Sequence, residues 1–157
     1  MSYGRYFDEL NVGDRFEHWP GRTITEFDDT LFSLMSMNQH PLHIDEHFSA
    51  GTQHKQRLVE GPLVVSLVIG MTQSDIGGKA LAVLEYRDVR HVASVFHGDS
   101  IYARSSIVSK EEIAGQPDRG KVLIATEGIN QRGEVVLALQ RRIVLPRSGD
   151  RESRPGD

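Results

Sequence analysis

GPLVVSLVIGM, Gly61 to Met71, is the stretch on which the fold turns. Valine and isoleucine favour strands, and a short apolar run fits a buried strand as readily as a buried helix. Its first two residues separate the readings. Gly61 suits a helix cap, and Pro62 suits the first helical position, where its missing N–H and fixed φ cost nothing. The run therefore reads as a helix. Because it is apolar nearly all round, the helix is expected to be buried. From Pro62 to Met71 it is too short to cross a bilayer.

Beyond this helix the pattern changes. ALAVLEYRDVRHVASV, GDSIYARSSIVSKEE, KVLIATEGINQ and EVVLALQRRIVLPR are four β-rich runs. Gly98-Asp99, Gln116-Pro117-Asp118 and the residues from Asn130 to Gly133 supply turn chemistry between them, and the last pair reads as a hairpin around NQRG. Before the helix, DRFEHWPGRTIT (14–25) reads as a strand broken by Pro20-Gly21. Thr25 followed by Glu26, Asp28 and Asp29 is a helix start, with Phe27, Leu31, Leu34 and Met35 forming one apolar stripe. That helix is expected to stop near Asn38, because Pro41 pushes His40 toward extended geometry. Residues 44–56 are polar, with room for a short helix. Strands packed on one buried helix make an α+β domain.

The bulk numbers suit one domain with one core: 157 residues, 38% hydrophobic and 25% charged. A formal net charge of −4 favours neither nucleic acid nor an acidic membrane surface. The absence of cysteine excludes disulfides and thiol catalysis, and it fits a cytoplasmic protein. MSYGRYFDELNVGD lacks the basic segment and apolar run of a signal peptide. One domain is expected over residues 1–146, with a polar, disordered tail over 147–157.

A second stretch carries the chemistry. In MSMNQHPLHID, Met35 to Asp45, two histidines sit three apart around a proline, where the chain leaves a helix. SMNQHPLHID resembles the hydratase motif of the MaoC-like (R)-specific enoyl-CoA hydratases, S-G-D-x-N-P-x-H-x-D. RLVEGPLVVSLVIGM resembles the glycine-led helix of that family's hot-dog fold. DVRHVASVFHGDSIYARSSIVSKEE resembles its strand signature, in which a P-V-x-x-G-D-T turn precedes a long strand. INQRGEVVLALQRRIVLPR resembles its C-terminal hairpin, and together these segments run in order from residue 8 to residue 146. The resemblance implies a single hot-dog domain, a long helix wrapped by an antiparallel sheet. It implies hydration of a trans-2-enoyl-CoA thioester or the reverse, with acyl-CoA as substrate and no further cofactor. It also implies a homodimer or dimer-based oligomer, with the site near the subunit interface. Neither nucleic acid nor membrane is an expected partner.

Carried over position by position, the motif histidine falls on His43 and the helix-leading glycine on Gly61. The motif aspartate falls on Asn38, the motif asparagine on His40, and a histidine often found before the glycine on Glu60; all three depart from the family. Adding water to an enoyl thioester needs a base for the water proton, an acid for the α-carbon and a donor for the enolate oxygen. The Gly61 N–H suits the last need, and His43 suits acid or base work, its tautomer fixed by Asp45 or a backbone carbonyl. An amide holds water but takes no proton. Three readings therefore stand: His43 acts alone while Asn38 positions water, Glu60 supplies the carboxylate, or the protein binds acyl-CoA without hydrating it. A hot-dog thioesterase is the rival enzyme.

His40, Glu60, Pro62, Ser66 and Arg90 are the candidate substrate-binding residues, with Arg87 and Arg132 as further candidates for CoA phosphates. Without the aspartate, and with His54, Lys55 and Arg57 in the loop before the helix, the acyl pocket suits a carboxylate of the mesaconyl-, itaconyl- or methylmalyl-CoA type, unless these residues are merely solvated. A metal site at His40, His43, His47 and Asp45 is disfavoured by Pro41. His91 and His97 read as structural or exposed, and no serine-histidine-acid arrangement is visible.

Overall fold

Thr25 starts the first helix as its side chain dictates. In the computed structural model, which describes residues 3–149, α1 spans Glu26–Ser36. The Thr25 hydroxyl accepts the Asp28 N–H, and the Asp28 carboxylate accepts the Thr25 N–H at 2.8 Å, a reciprocal cap. The helix closes at Met37, whose φ of 62° is left-handed. Two short helices follow, α2 at Pro41–Ile44 and α3 at Glu46–Ala50. His40 is extended, and its Nδ1 accepts the Leu42 N–H at 3.0 Å; the Asp45 carboxylate accepts the Phe48 N–H at 2.9 Å. The apolar run forms α4, Gly61–Met71, with Glu60 rather than Gly61 in the cap position.

Five antiparallel strands make one sheet: β1 Arg15–Thr23, β2 Ala82–His91, β3 Ser100–Ile113, β4 Gln116–Asn130 and β5 Val135–Pro146, in the order β1-β3-β4-β5-β2. Pairing of β1 slips between His18 and Arg22, at the expected Pro20-Gly21 break. The turn expected at Gln116-Pro117-Asp118 lies two residues earlier, at Ala114-Gly115, because Gly115 takes a φ of 76°. Pro117 instead sits inside β4, where the ladder to β3 skips from Gln116 to Gly120 and no N–H is demanded of it.

Helix α4 buries Leu63, Val64 and Val68 against Ile101, Ala103 and Leu137 of the sheet. Gly128 permits that approach: a Cβ there would lie 2.7 Å from Val68 Cγ2. Each fully buried aliphatic side chain contributes about 1.5–3 kcal/mol. The expectation of burial all round is corrected, because one sheet covers one face; Pro62, Ser66 and Gly70 remain exposed. The stripe on α1 is corrected more sharply. Phe27, Leu34 and Met35 are 71%, 56% and 76% exposed, whereas Asp29 and Ser33 are buried.

A second apolar cluster gathers Phe7, Leu10, Ile76, Ile107, Ile124 and Ile143. Between the two clusters runs a row of inward polar side chains that the sequence did not reveal. His18 Nδ1 lies 2.7 Å from Asp75 Oδ2, His18 Nε2 lies 2.9 Å from Ser105 Oγ, and Ser105 meets the Thr126 hydroxyl at 2.9 Å. This is a serine-histidine-acid connection, built from β1, β3 and the turn after α4. Ser105 is 5% exposed and its hydroxyl is engaged on both sides, so it presents no nucleophile. Arg141 continues the row and donates to Thr72 Oγ1 at 2.5 Å; burial pushes its pKa down. Its charge lies at the C-terminal end of α4, where the helix dipole favours a cation.

Arg147 and Ser148, placed in the tail by composition, are tied to the domain by Arg147 N–H to Asp118 O and Ser148 N–H to Asp8 Oδ1, both at 2.8 Å. Residues 150–157 of that expected tail lie outside the described residues. Among the described residues no helix is long and apolar enough to cross a membrane.

Candidate functional site

The site is built where the chain enters α4. The Leu58 N–H donates to Leu42 O at 3.1 Å and the Val59 N–H donates to Val95 O at 2.9 Å, so this segment bridges α2 and the loop after β2. The Glu60 N–H then donates to Asp29 Oδ1 at 2.8 Å, and His97 Nε2 meets Asp29 Oδ2 at 2.9 Å. Asp29 is 0% exposed and Glu60 is 1% exposed. A buried polar group left without its partner costs about 1–3 kcal/mol, so Asp29 fixes the α4 entrance firmly. This is why α1 turns Asp29 inward and its apolar stripe outward.

That entrance leaves one donor free. The Leu63 and Val64 N–H groups both donate to Glu60 O, Pro62 has none, and the Gly61 N–H meets no acceptor among the described residues. It points from the positive end of the α4 dipole. His43 is held by the segment that leads into α4. Its Nδ1 lies 2.7 Å from Leu58 O; a carbonyl only accepts, so Nδ1 carries the proton and the neutral ring keeps its Nε2 lone pair free. Leu58 thus sets the tautomer, while Asp45 is occupied as the α3 cap. The Ser49 hydroxyl donates to Leu42 O at 3.1 Å and ties α3 under α2.

His43 and Gly61 share the wall of a cavity of about 390 Å³. Val64 and residues 92–95 supply most of the rest, together with His91. His91 pairs with Leu137, an inward residue of β5, so its ring lies on the helix side of the sheet. A Cβ built on Gly61 would lie 2.8 Å from Cε1 and Nε2 of that ring. Sequence alternation gave no warning of this. A register shift between Arg87 and Arg90, with Asp88 at φ 52°, reverses the parity of the strand end. The same shift sends Arg90 to the outer face, where it lines a depression of about 720 Å³ shared with the Arg104–Glu127 ion pair. That larger hollow lies across the sheet from His43 and Gly61, so the smaller cavity is the candidate site.

The other sequence candidates fall outside the cavity wall. Asn38 is half-buried, its carbonyl accepting the His40 N–H at 3.4 Å. His40 is exposed and spends Nδ1 on capping α2. The buried Glu60 carboxylate takes the Ser36 hydroxyl at 3.3 Å. Pro62 and Ser66 are exposed, and the Ser66 hydroxyl donates to Pro62 O at 2.9 Å. Arg57 is committed to Glu46 at 2.7 Å and Glu26 at 2.8 Å. Burial works against its charge, but these two acids outweigh that and hold its pKa above the ordinary value. No group of three or more histidine or acidic side chains among the described residues is arranged to hold a metal.

Comparison with known proteins agrees with this architecture. A mesaconyl-CoA hydratase of Cereibacter sphaeroides is 29% identical over 142 residues, covering 90% of this chain and 41% of that protein. A β-methylmalyl-CoA dehydratase of Chloroflexus aurantiacus is 26% identical, covering 91% of this chain and 45% of that one. The chain thus spans about half the length of these relatives. A solved Mycobacterium tuberculosis protein described as having a double hotdog fold superposes with a TM-score of 0.82 at 27% identity, over 98% of this chain and 47% of that chain. The fold is the hot-dog fold. The pattern of the MaoC like domain matches residues 9–128, and the chain belongs to that family.

Proposed function

We propose that the protein adds water to an enoyl-CoA thioester, or removes it from the 3-hydroxyacyl-CoA, at the cavity between His43 and Gly61. One observation carries the reading: an imidazole with Nδ1 tied down and Nε2 free shares a cavity with an unpaired helix-start N–H. Nε2 takes a proton from water as the oxygen bonds to the β-carbon. The π electrons move to the thioester oxygen, held at the Gly61 N–H. The imidazolium then gives its proton to the α-carbon as the enolate collapses. One histidine serves as base and then acid, and no electrons are exchanged, so the reaction needs no redox group. The engagement of Glu60 with Ser36, away from the wall, favours this over a carboxylate-assisted route.

The substrate class we favour is a short, branched or dicarboxylic acyl-CoA. The cavity is small, no carboxylate lines it, and relatives are named for mesaconyl- and methylmalyl-CoA. Incubation with mesaconyl-CoA is expected to consume the enoyl double bond without releasing free thiol. Thiol release establishes the thioesterase instead, and saturable binding with neither change establishes a binding module.

Two copies form the working unit in this reading. Strand β2 is an edge of the sheet and exposes Leu84, Tyr86 and Val89 at 49%, 49% and 42%. Proteins cover such edges. The chain spans half of a double hotdog protein, and a second copy supplies the other half by pairing β2 with β2 about a twofold axis. Light scattering at micromolar concentration is expected to give twice the chain mass of 17.6 kDa; a monomer mass rejects the pairing.

A further inference from the structure

We propose that His91 is the specificity-determining residue of this site and binds a carboxylate carried by the acyl group. The inference deepens the hydratase reading, which fixes the thioester oxygen at the Gly61 N–H. On a chain held there, a carboxylate on the β-carbon is three bonds from the thioester carbon. It therefore stays at the end of the cavity where the His91 ring packs on Gly61.

The wall leaves few alternatives. No aspartate, glutamate, lysine or arginine lines the cavity, and its remaining side chains are apolar apart from Ser94. A carboxylate entering such a space must find hydrogen-bond donors. His43 is occupied by Leu58 on one nitrogen and by the reaction on the other. His91 is exposed at the open side of the cavity and hydrogen-bonds to no described residue, and pairing with Leu137 sets which side of the sheet it takes. An imidazole donates an N–H in either protonation state, and the protonated ring adds charge. Of the loop groups named from sequence, Arg57 is paired with Glu26 and Glu46, and neither it nor His54 or Lys55 lines the cavity.

The test measures binding, so it does not depend on turnover. Methylsuccinyl-CoA and 2-methylbutyryl-CoA share one skeleton, with a carboxylate in the first replaced by a methyl group in the second. Neither has a double bond to hydrate. Titration calorimetry on the full chain is expected to show wild type preferring methylsuccinyl-CoA. His91→Phe keeps the ring against Gly61 but removes the donor. It is expected to weaken methylsuccinyl-CoA by at least about tenfold while 2-methylbutyryl-CoA stays within about twofold, the scale of one lost hydrogen bond to a charged group. His91→Gln, which retains a donor, recovers part of the preference. Equal binding of both esters by wild type, or an equal shift for both in His91→Phe, overturns the assignment. Failure of the hydratase reading shows separately, as absence of turnover on mesaconyl-CoA.

Discussion

Replacing His43 with alanine is expected to lower turnover by about 10²–10⁴-fold, the range for a lost general acid–base group. The size of the effect follows from how completely the structure commits this ring. Leu58 O binds Nδ1 at 2.7 Å, which leaves Nε2 for both proton transfers of the proposed reaction. Asn38 and Glu60 lie outside the wall, and the wall's other imidazole, His91, is assigned to the acyl carboxylate rather than to the reacting carbons. The fold is expected to survive. His43 is only half-buried, and its one polar contact is worth about 0.5–1.5 kcal/mol. Steady-state kinetics and a thermal melt on the same preparation separate the two effects. Wild-type turnover in a folded variant removes His43 from the mechanism and returns the base to Glu60.

Gly61→Ala is expected to cost about 10²-fold, the effect of moving reacting groups by roughly 1 Å. The backbone at Gly61 is helical, so alanine is not strained there, and alanine is the better helix former. The N–H also remains. What changes is space: the new Cβ would lie 2.8 Å from the His91 ring and project into the cavity. Either the ring swings out or the thioester moves off its donor. A variant at least as heat-stable as wild type, but slower on mesaconyl-CoA, is the expected result. Unchanged kinetics shows that the thioester oxygen is not held at this amide.

Much of the architecture was legible because its signals are local. Thr25 with Asp28, Pro62 beside Gly61 and the αL-favouring Gly133 each act through their own neighbours, so α1, α4 and the last hairpin fall where the residues place them. His43 was singled out by the resemblance of SMNQHPLHID to the family motif, and Pro41 with the caps at His40 and Asp45 fixes the small helix that carries it.

The rest depended on contacts between distant segments. Composition marked α1 as amphipathic but not which face turns inward. The pairing of Asp29 with the Glu60 N–H and His97, segments 31 and 68 residues away, decided that. The His18–Asp75–Ser105 connection needs three elements to meet, and no spacing in one chain segment announces it. A bulge in β2, whose register only pairing with β5 defines, decided that His91 takes the helix side and Arg90 the outer face. The sequence by itself determined the helix starts and most of the turns, because short-range hydrogen bonds and backbone preferences set them. Tertiary structure alone decided which side chains face the cavity, because burial and strand register are properties of partners that sequence distance hides.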